Sequence, residues 1–315
     1  MADRGRRPRT GGCGVTRVPF CFVDVFARRP LTGNPLSLVP DADDLTEPQM
    51  QAIAREFNQS ETTFVLRPTG HPAGPDATWR LRSFTPIGAE VFGAGHNALG
   101  AWLWLAAAGR IAVGAGQRLT QEIGDEVLPV EVSRGDDGAV TVTMDQSAPA
   151  FGEMVDDRAE LAAALGLSQA DLVPGESAQV VDTGAGHLLV PVRDRAAVDR
   201  AVPVTGRLAA VLRQAGGEGC YLYSRDPAGD TDVVAYTRFF NPTMGIAEDP
   251  ATGTAAGPLV ARLVAEGKVA GDGRPVIVEQ GYAVGRPSRI QVSVAGPRVR
   301  VGGSGLVVAE GAITL

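Results

Sequence analysis

Arg82-Ser83-Phe84-Thr85-Pro86 returns, at an offset of 156 (from 82 to 238), as Arg238-Phe239-Phe240-Asn241-Pro242. Both copies of this R-x-F-x-P pattern lead through a glycine-containing turn into a run of small and apolar residues. These runs are Ala98-Leu99-Gly100-Ala101-Trp102-Leu103 and Ala256-Gly257-Pro258-Leu259-Val260-Ala261. They close on Gly109-Arg110-Ile111 and Gly267-Lys268-Val269, with glycine in the helix-stop position and a base beside it. A second echo lies upstream: Thr32-Gly33 with Leu38-Val39-Pro40 matches Thr183-Gly184 with Leu189-Val190-Pro191, at an offset of 151 (from 32 to 183). Each is followed by a polar stretch and then a helix, predicted over 48–57 and 208–215. Two echoes in the same order indicate one unit written twice.

A helix that is apolar on every face has to be enclosed. The flanking segments Val140-Thr141-Val142-Thr143-Met144 and Arg289-Ile290-Gln291-Val292-Ser293-Val294 alternate as strands do. Each half is therefore expected to be a curled sheet around its own central helix, with the two glycine turns meeting at a cleft between lobes. The expected divisions are a disordered basic arm over 1–16, an N-terminal lobe over 17–130 and a C-terminal lobe over 131–315. The last strand is a candidate to return to the N-terminal lobe. Gly302-Gly303-Ser304-Gly305 reads as a turn between strands.

The chain has 315 residues, 44% hydrophobic and 21% charged, the balance of a globular protein with a substantial core. A net charge of −7 argues against nucleic acid as a partner, since phosphate binding needs a basic face. An acidic small molecule stays compatible, because a pocket can differ locally from the surface. The most apolar stretch, Leu99 to Gly109, is too short to cross a bilayer, which takes about 20 residues. Asp24 interrupts the apolar segment that follows the arm, so no signal peptide is read and a cytoplasmic location without membrane association is expected. Cys13, Cys21 and Cys220 form no CxxC pair, and His71, His96 and His187 fall into no zinc spacing, so no metal is expected. Free thiols in a reducing compartment follow. The glycines from Gly93 to Gly100 have the wrong spacing for a Rossmann fingerprint or a P-loop, no G-x-S-x-G elbow occurs, and no cofactor is expected.

Gly93-Ala94-Gly95-His96-Asn97 opens the first central helix, and Glu248-Asp249-Pro250-Ala251-Thr252-Gly253-Thr254-Ala255 opens the second. Such turns serve either as ordinary helix caps or as an anion site built from helix N-terminal amides. Glu61, in Asn58-Gln59-Ser60-Glu61-Thr62-Thr63-Phe64-Val65-Leu66, stands near a strand start. A carboxylate there either faces solvent or, half-buried in a cleft, takes and returns a proton.

Asp24-Val25-Phe26, Thr32-Gly33-Asn34-Pro35, the segment Met50 to Asn58, Ser60-Glu61-Thr62-Thr63-Phe64-Val65, Phe84-Thr85-Pro86, Gly95-His96 and Glu248 to Gly257 together resemble the PhzF-like phenazine-biosynthesis family. The resemblance runs from about Arg17 to the end. It implies the diaminopimelate-epimerase fold: α+β, two pseudo-symmetric lobes, each a barrel-like, mostly antiparallel sheet wrapped around a central helix. It implies Glu61 as the proton shuttle, His96 and Asp249 as its catalytic partners, and Asn34, Ser60, Gly95, Asn97, Gly253 and Thr254 as substrate-binding residues. The amide of Gly95 would help to hold a carboxylate or oxyanion. Epimerases of this fold use two thiols, one at each turn. Here the turns carry Ala94, Ala251 and Thr252, which cannot replace a thiol as acid or base.

The resemblance implies a cofactor-independent isomerase of secondary metabolism (antibiotic biosynthesis), acting by acid/base catalysis on a small unsaturated carboxylate, and by analogy a homodimer. The substrate is phenazine-precursor-like or pyrroline-carboxylate-like. Val91-Phe92-Gly93 before the first turn and Asn97 after it depart from the family pattern and would reshape that wall. The alternatives are a non-catalytic metabolite-binding protein and a dehydratase using the same base.

Overall fold

The computed structural model describes residues 16–70, 77–114, 117–135, 137–226 and 232–315. The arm expected over 1–16 lies outside these, except for Thr16, whose backbone pairs both ways with Leu315 at 3.3 and 2.9 Å. The first half runs β1 (Arg17–Val25), β2 (Asn34–Val39), α1 (Glu47–Phe57), β3 (Thr62–Leu66), β4 (Trp79–Phe84), β5 (Glu90–Val91), α2 (His96–Ala107), β6 (Gln117–Ile123), β7 (Glu126–Arg134), β8 (Val140–Gln146) and β9 (Ala150–Val155). The second runs α3 (Arg158–Ala164), β10 (Ala178–Asp182), β11 (Gly186–Pro191), α4 (Arg195–Arg200), α5 (Thr205–Ala215), β12 (Gly219–Ser224), β13 (Val233–Asn241), β14 (Ile246–Asp249), α6 (Gly253–Ala265), β15 (Val276–Gln280), β16 (Ser288–Ala295), β17 (Arg298–Gly303) and β18 (Gly305–Thr314). The class is α+β.

The echoed sequence order is an echoed pairing order. β1 pairs antiparallel with β2, β2 parallel with β3, and β3 antiparallel with β4. β4 pairs antiparallel with β5 and parallel with β6, and β6, β7 and β8 continue as an antiparallel meander. The same relations hold when β10 to β17 replace β1 to β8 in turn. Parallel neighbours need a crossover, and the amphipathic helices α1 and α5 lie in the two that join β2 to β3 and β11 to β12. β8 pairs with β17, so the sheet is continuous between halves.

Two strands exchange. β9 follows β8 but pairs with β10, while β18 follows β17 but pairs along β1 from Arg17↔Thr314 to Val25↔Gly305. The division expected between 130 and 131 falls inside β7, whose pairing with β6 and β8 runs unbroken through that point. The first half's pairing extends through β8 because the β6–β8 meander closes over α2. The turn expected over Gly302 to Gly305 is a strand switch in which only Ser304 separates β17 from β18. Glycine is needed there for close approach: a Cβ on Gly303 would run into the Phe26 ring, and one on Gly305 into the Asp24 carbonyl.

α2 is buried from Asn97 to Ala106 and packs on β1, β2, β3, β8 and β18. Leu99, Trp102 and Leu105 are fully buried, each stabilising by roughly 1.5–3 kcal/mol. Trp102 Nε1 donates to Gln121 Oε1 at 2.7 Å, so the indole leaves no unmet donor. α6 packs on β10, β11, β16 and β17. It carries one buried charge, Arg262, which donates to Glu266 Oε1 (2.8 Å) and to the carbonyls of Leu189 (3.3 Å) and Ser177 (2.7 Å). Both helices stop as the sequence predicts: Gly109 and Gly267 take φ of 66° and 69°, and Arg110 and Lys268 donate back to Leu105 and Leu263. Among the described residues no helix is long and apolar enough to cross a membrane.

The R-x-F echo has a structural cause. Arg82 forks onto Glu90 of β5 through Nε and Nη2, both at 2.6 Å, and Arg238 forks onto Glu248 of β14 at 2.9 and 2.6 Å. Each guanidinium also stacks on the phenylalanine two residues on, at 5.0 Å for Phe84 and 4.9 Å for Phe240. These bidentate, charge-assisted clamps hold the short hairpins that deliver the chain to each glycine turn.

Candidate active site

Glu61 directly precedes β3. Asn58 ends α1 in the left-handed region at φ 52°, and Ser37 of the parallel neighbour β2 donates to the Glu61 carbonyl at 3.3 Å. The backbone of Glu61 is thus fixed by the sheet. Its Oε2 is buried and lies 3.1 Å from His96 Nε2, at the first residue of α2. Ser60 Oγ is 3.4 Å from the same nitrogen. Glu61, Ser60 and His96 therefore converge on one point.

Asp249 ends β14. Its Oδ1 accepts from Asn34 Nδ2 at 2.9 Å, and its Oδ2 accepts from the hydroxyl of Thr252, the N-cap of α6. Burial pushes its carboxyl up from 3.8 to about 6, against the opposing pull of His96 and of the Thr252 and Asn34 hydrogen bonds; the charge of Glu61 adds to the rise. Asp249 thus feels both His96 and Glu61. Asn34 also donates to the Ala251 carbonyl at 2.9 Å, tying the first half to the second turn. It is delivered by Gly33, whose φ of 72° and tight contact with the Val25 carbonyl exclude a side chain. Arg286 holds that loop through the Gly33 carbonyl (2.7 Å), the Thr32 carbonyl (3.0 Å) and Asp24 Oδ1 (2.5 Å).

A narrow cleft between the two helix starts is lined by Ala94, Gly95, Gly253 and Thr254, with Phe26, Met144, Gln146 and Val301 among its walls. Three of the residues predicted to bind substrate (Gly95, Gly253 and Thr254) share it. Asn97 does not: it is buried, its Oδ1 accepts from the Gly95 amide at 2.8 Å, and its Nδ2 donates to the Gly93 carbonyl (3.0 Å) and Ser83 Oγ (3.1 Å). The Gly95 amide, expected to face an anion, is engaged by this cap. A larger groove of about 580 Å³ lies at the other end of α2 beside Leu103 and Ala107 and shares no residue with the cleft.

Several supporting residues escaped sequence reasoning. Gln280 donates to the Asp249 carbonyl (2.7 Å) and Thr252 Oγ1 (3.0 Å), and its Oε1 accepts from the Thr252 amide (3.1 Å) and Tyr221 Oη (2.9 Å). Ser83 bridges Thr63 (2.9 Å) and Asn97. His187 of β11 reaches Thr254 Oγ1 at 3.3 Å. Only spacing from strand ends could have pointed to them, since polar residues within buried strands need partners. Cys21 and Cys220 are buried on β1 and β12, away from both turns, and burial pushes each thiol up to about 12. Among the described residues no group of three His, Cys, Asp or Glu is arranged to hold a metal ion.

The family described as phenazine biosynthesis-like protein matches residues 23–311. Trans-2,3-dihydro-3-hydroxyanthranilate isomerase of Pseudomonas fluorescens is 34% identical over 308 residues, covering 94% of this chain and 99% of that protein. An uncharacterised isomerase of Deinococcus radiodurans is 36% identical, covering 93% of each chain. Among solved structures, a PhzF-family phenazine biosynthesis protein of Bacillus anthracis superposes with a TM-score of 0.86 at 29% identity, covering 95% of this chain and all of the other. A hydroxyproline epimerase of Agrobacterium vitis, at 14% identity and a TM-score of 0.59, shares the fold. The chain belongs to the phenazine biosynthesis-like (PhzF) family and is an isomerase.

Proposed function

We propose that this isomerase shifts a proton between carbon atoms of a small unsaturated carboxylate, without a cofactor, with Glu61 as the carrier. Two pseudo-symmetric lobes, one around each central helix, would hold the substrate between the starts of α2 and α6. Glu61 takes a carbon-bound proton made acidic by conjugation, and the double bonds shift along the system. The same carboxyl group returns the proton at a carbon further on, so atoms and electrons balance with no oxidant or reductant. His96 steadies the charge of Glu61 in each state, and Asp249 exchanges or orients a proton beside it. The N-terminal ends of α2 and α6 favour the negative charge that develops on the substrate.

The observation that carries this reading is the 3.1 Å approach of Glu61 Oε2 to His96 Nε2, beside a carboxyl group whose burial holds it near 6. Asp249, poised close to the working pH, can accept or give a proton beside the Glu61–His96 pair. The first substrate to try is trans-2,3-dihydro-3-hydroxyanthranilate, named for a relative that this chain covers almost end to end. A Δ1-pyrroline carboxylate with a ring double bond is the second.

The test is incubation of each compound with the protein in deuterated water, followed by NMR and ultraviolet absorbance. The expected product has displaced double bonds and deuterium at no position other than the receiving carbon. Recovery of both compounds unchanged overturns the reading. Loss of water identifies a dehydratase, and saturable binding without change identifies a carrier.

A further inference from the structure

His187 is buried and unused by the mechanism above. It sits on β11, where the Phe239 ring packs against it nearly at right angles, with centroids 5.0 Å apart. Its Nε2 lies 3.3 Å from Thr254 Oγ1, and its Nδ1 is buried with no hydrogen-bond partner among the described residues. Burial holds the imidazole neutral, pushing it down to about 4 against the opposing charge of Asp182. A neutral imidazole has one N–H and one lone pair, and which nitrogen carries the hydrogen decides what Thr254 can do.

If Nδ1 carried it, a buried N–H would be orphaned, and Nε2 would take the hydrogen of the Thr254 hydroxyl. That hydroxyl would then show the cleft only lone pairs. If Nε2 carries it, Nε2–H donates to Thr254 Oγ1, and the hydroxyl hydrogen is free to point into the cleft. The group left without a partner is then a lone pair at Nδ1, the lesser cost by analogy with buried backbone groups, where orphaned acceptors are commoner than orphaned N–H groups. Thr254, the second residue of α6, lines the cleft together with Gly95.

We propose that His187 is a positioning residue: its Nε2–H turns the Thr254 hydroxyl into a hydrogen-bond donor aimed at one oxygen of the substrate carboxylate. The proposal rests on the reading of the cleft as a carboxylate site, but not on Glu61 as the shuttle. It also gives the cleft an anion donor that does not depend on the Gly95 amide, which Asn97 occupies. His187 thereby contributes to binding and has no part in proton transfer.

The tautomer is read directly from ¹⁵N shifts of His187 in the unliganded full chain, and a proton on Nε2 is expected. Binding is read by calorimetry with anthranilate, and with aniline as the same ring lacking the carboxylate. His187→Leu and Thr254→Val are each expected to weaken anthranilate about tenfold, to leave aniline unchanged, and not to add in the double variant. His187→Gln, whose side-chain amide can replace the Nε2 donor, should bind as the wild type. Glu61→Gln should bind anthranilate normally while losing turnover. A proton on Nδ1, equal anthranilate affinity in wild type and His187→Leu, or no anthranilate binding by the wild type would each overturn the proposal. Full turnover in Glu61→Gln beside weakened binding in His187→Leu would sink the shuttle and leave His187 in place.

Discussion

Asn34 and Asp249 share a hydrogen bond of 2.9 Å although 215 residues separate them in the chain. It crosses from the first half to the second and lands on the carboxyl group that burial raises to about 6. A donor to a carboxylate favours the charged form, so Asn34→Ala is expected to move the Asp249 titration further up. The acid limb of the kcat/KM profile should shift to higher pH. A limb that stays put or moves down would show that Asp249 does not govern it.

Glu61→Gln keeps the size and loses the proton. General acid/base catalysis contributes about 10²–10⁴-fold, so turnover should fall at least about 10²-fold, with KM changed far less. Turnover close to wild type would remove Glu61 from the mechanism.

Two desolvated groups, buried His187 and half-buried Asp249, give stability opposite slopes in nearly the same pH window. Asp249 rises from 3.8 to about 6, so the folded state binds a proton more readily than the unfolded chain, and its contribution falls as pH rises from about 4 to about 6. His187 drops from 6.5 to about 4, so the unfolded chain binds the proton more readily, and its contribution grows as pH rises from about 4 to 6.5. The two largely cancel in the wild type. Urea denaturation at pH 4.5 and 7 should therefore show Asp249→Asn gaining stability relative to wild type as pH rises, and His187→Gln losing it. Parallel curves for all three proteins would contradict both assignments.

Arg238 donates to Glu248 and also to the carbonyls of Val198, Asp199 and Ala201 at 3.1, 3.2 and 2.8 Å. Its equivalent Arg82 donates to Glu90 and to the exposed Glu47. Stripping one partner from a buried, hydrogen-bonded charge costs about 3–5 kcal/mol. Arg238→Ala should lose about that much in urea unfolding, and Arg82→Ala clearly less. Equal losses would mean that the three carbonyl contacts add nothing.

Much of the fold could be read from residues alone because it is written in local patterns. The repeated R-x-F-x-P, the two enclosed helices and their glycine stops report backbone period and helix chemistry, which act over a few residues. The roles expected of Glu61, His96 and Asp249 come only from the family resemblance of their motif segments; the residues by themselves leave Glu61 open between solvent and cleft. Tertiary structure alone decided which polar groups meet: Asn97 turning back to cap Gly95, Gln280 behind Thr252, His187 against Thr254, and Asn34 reaching Asp249. It also decided that β9 and β18 trade halves and that the first half's pairing runs through β8. Hydrogen bonds between residues far apart in the chain depend on how sheets curl and close. That geometry comes from summed packing over the whole core, and no short window of sequence carries it.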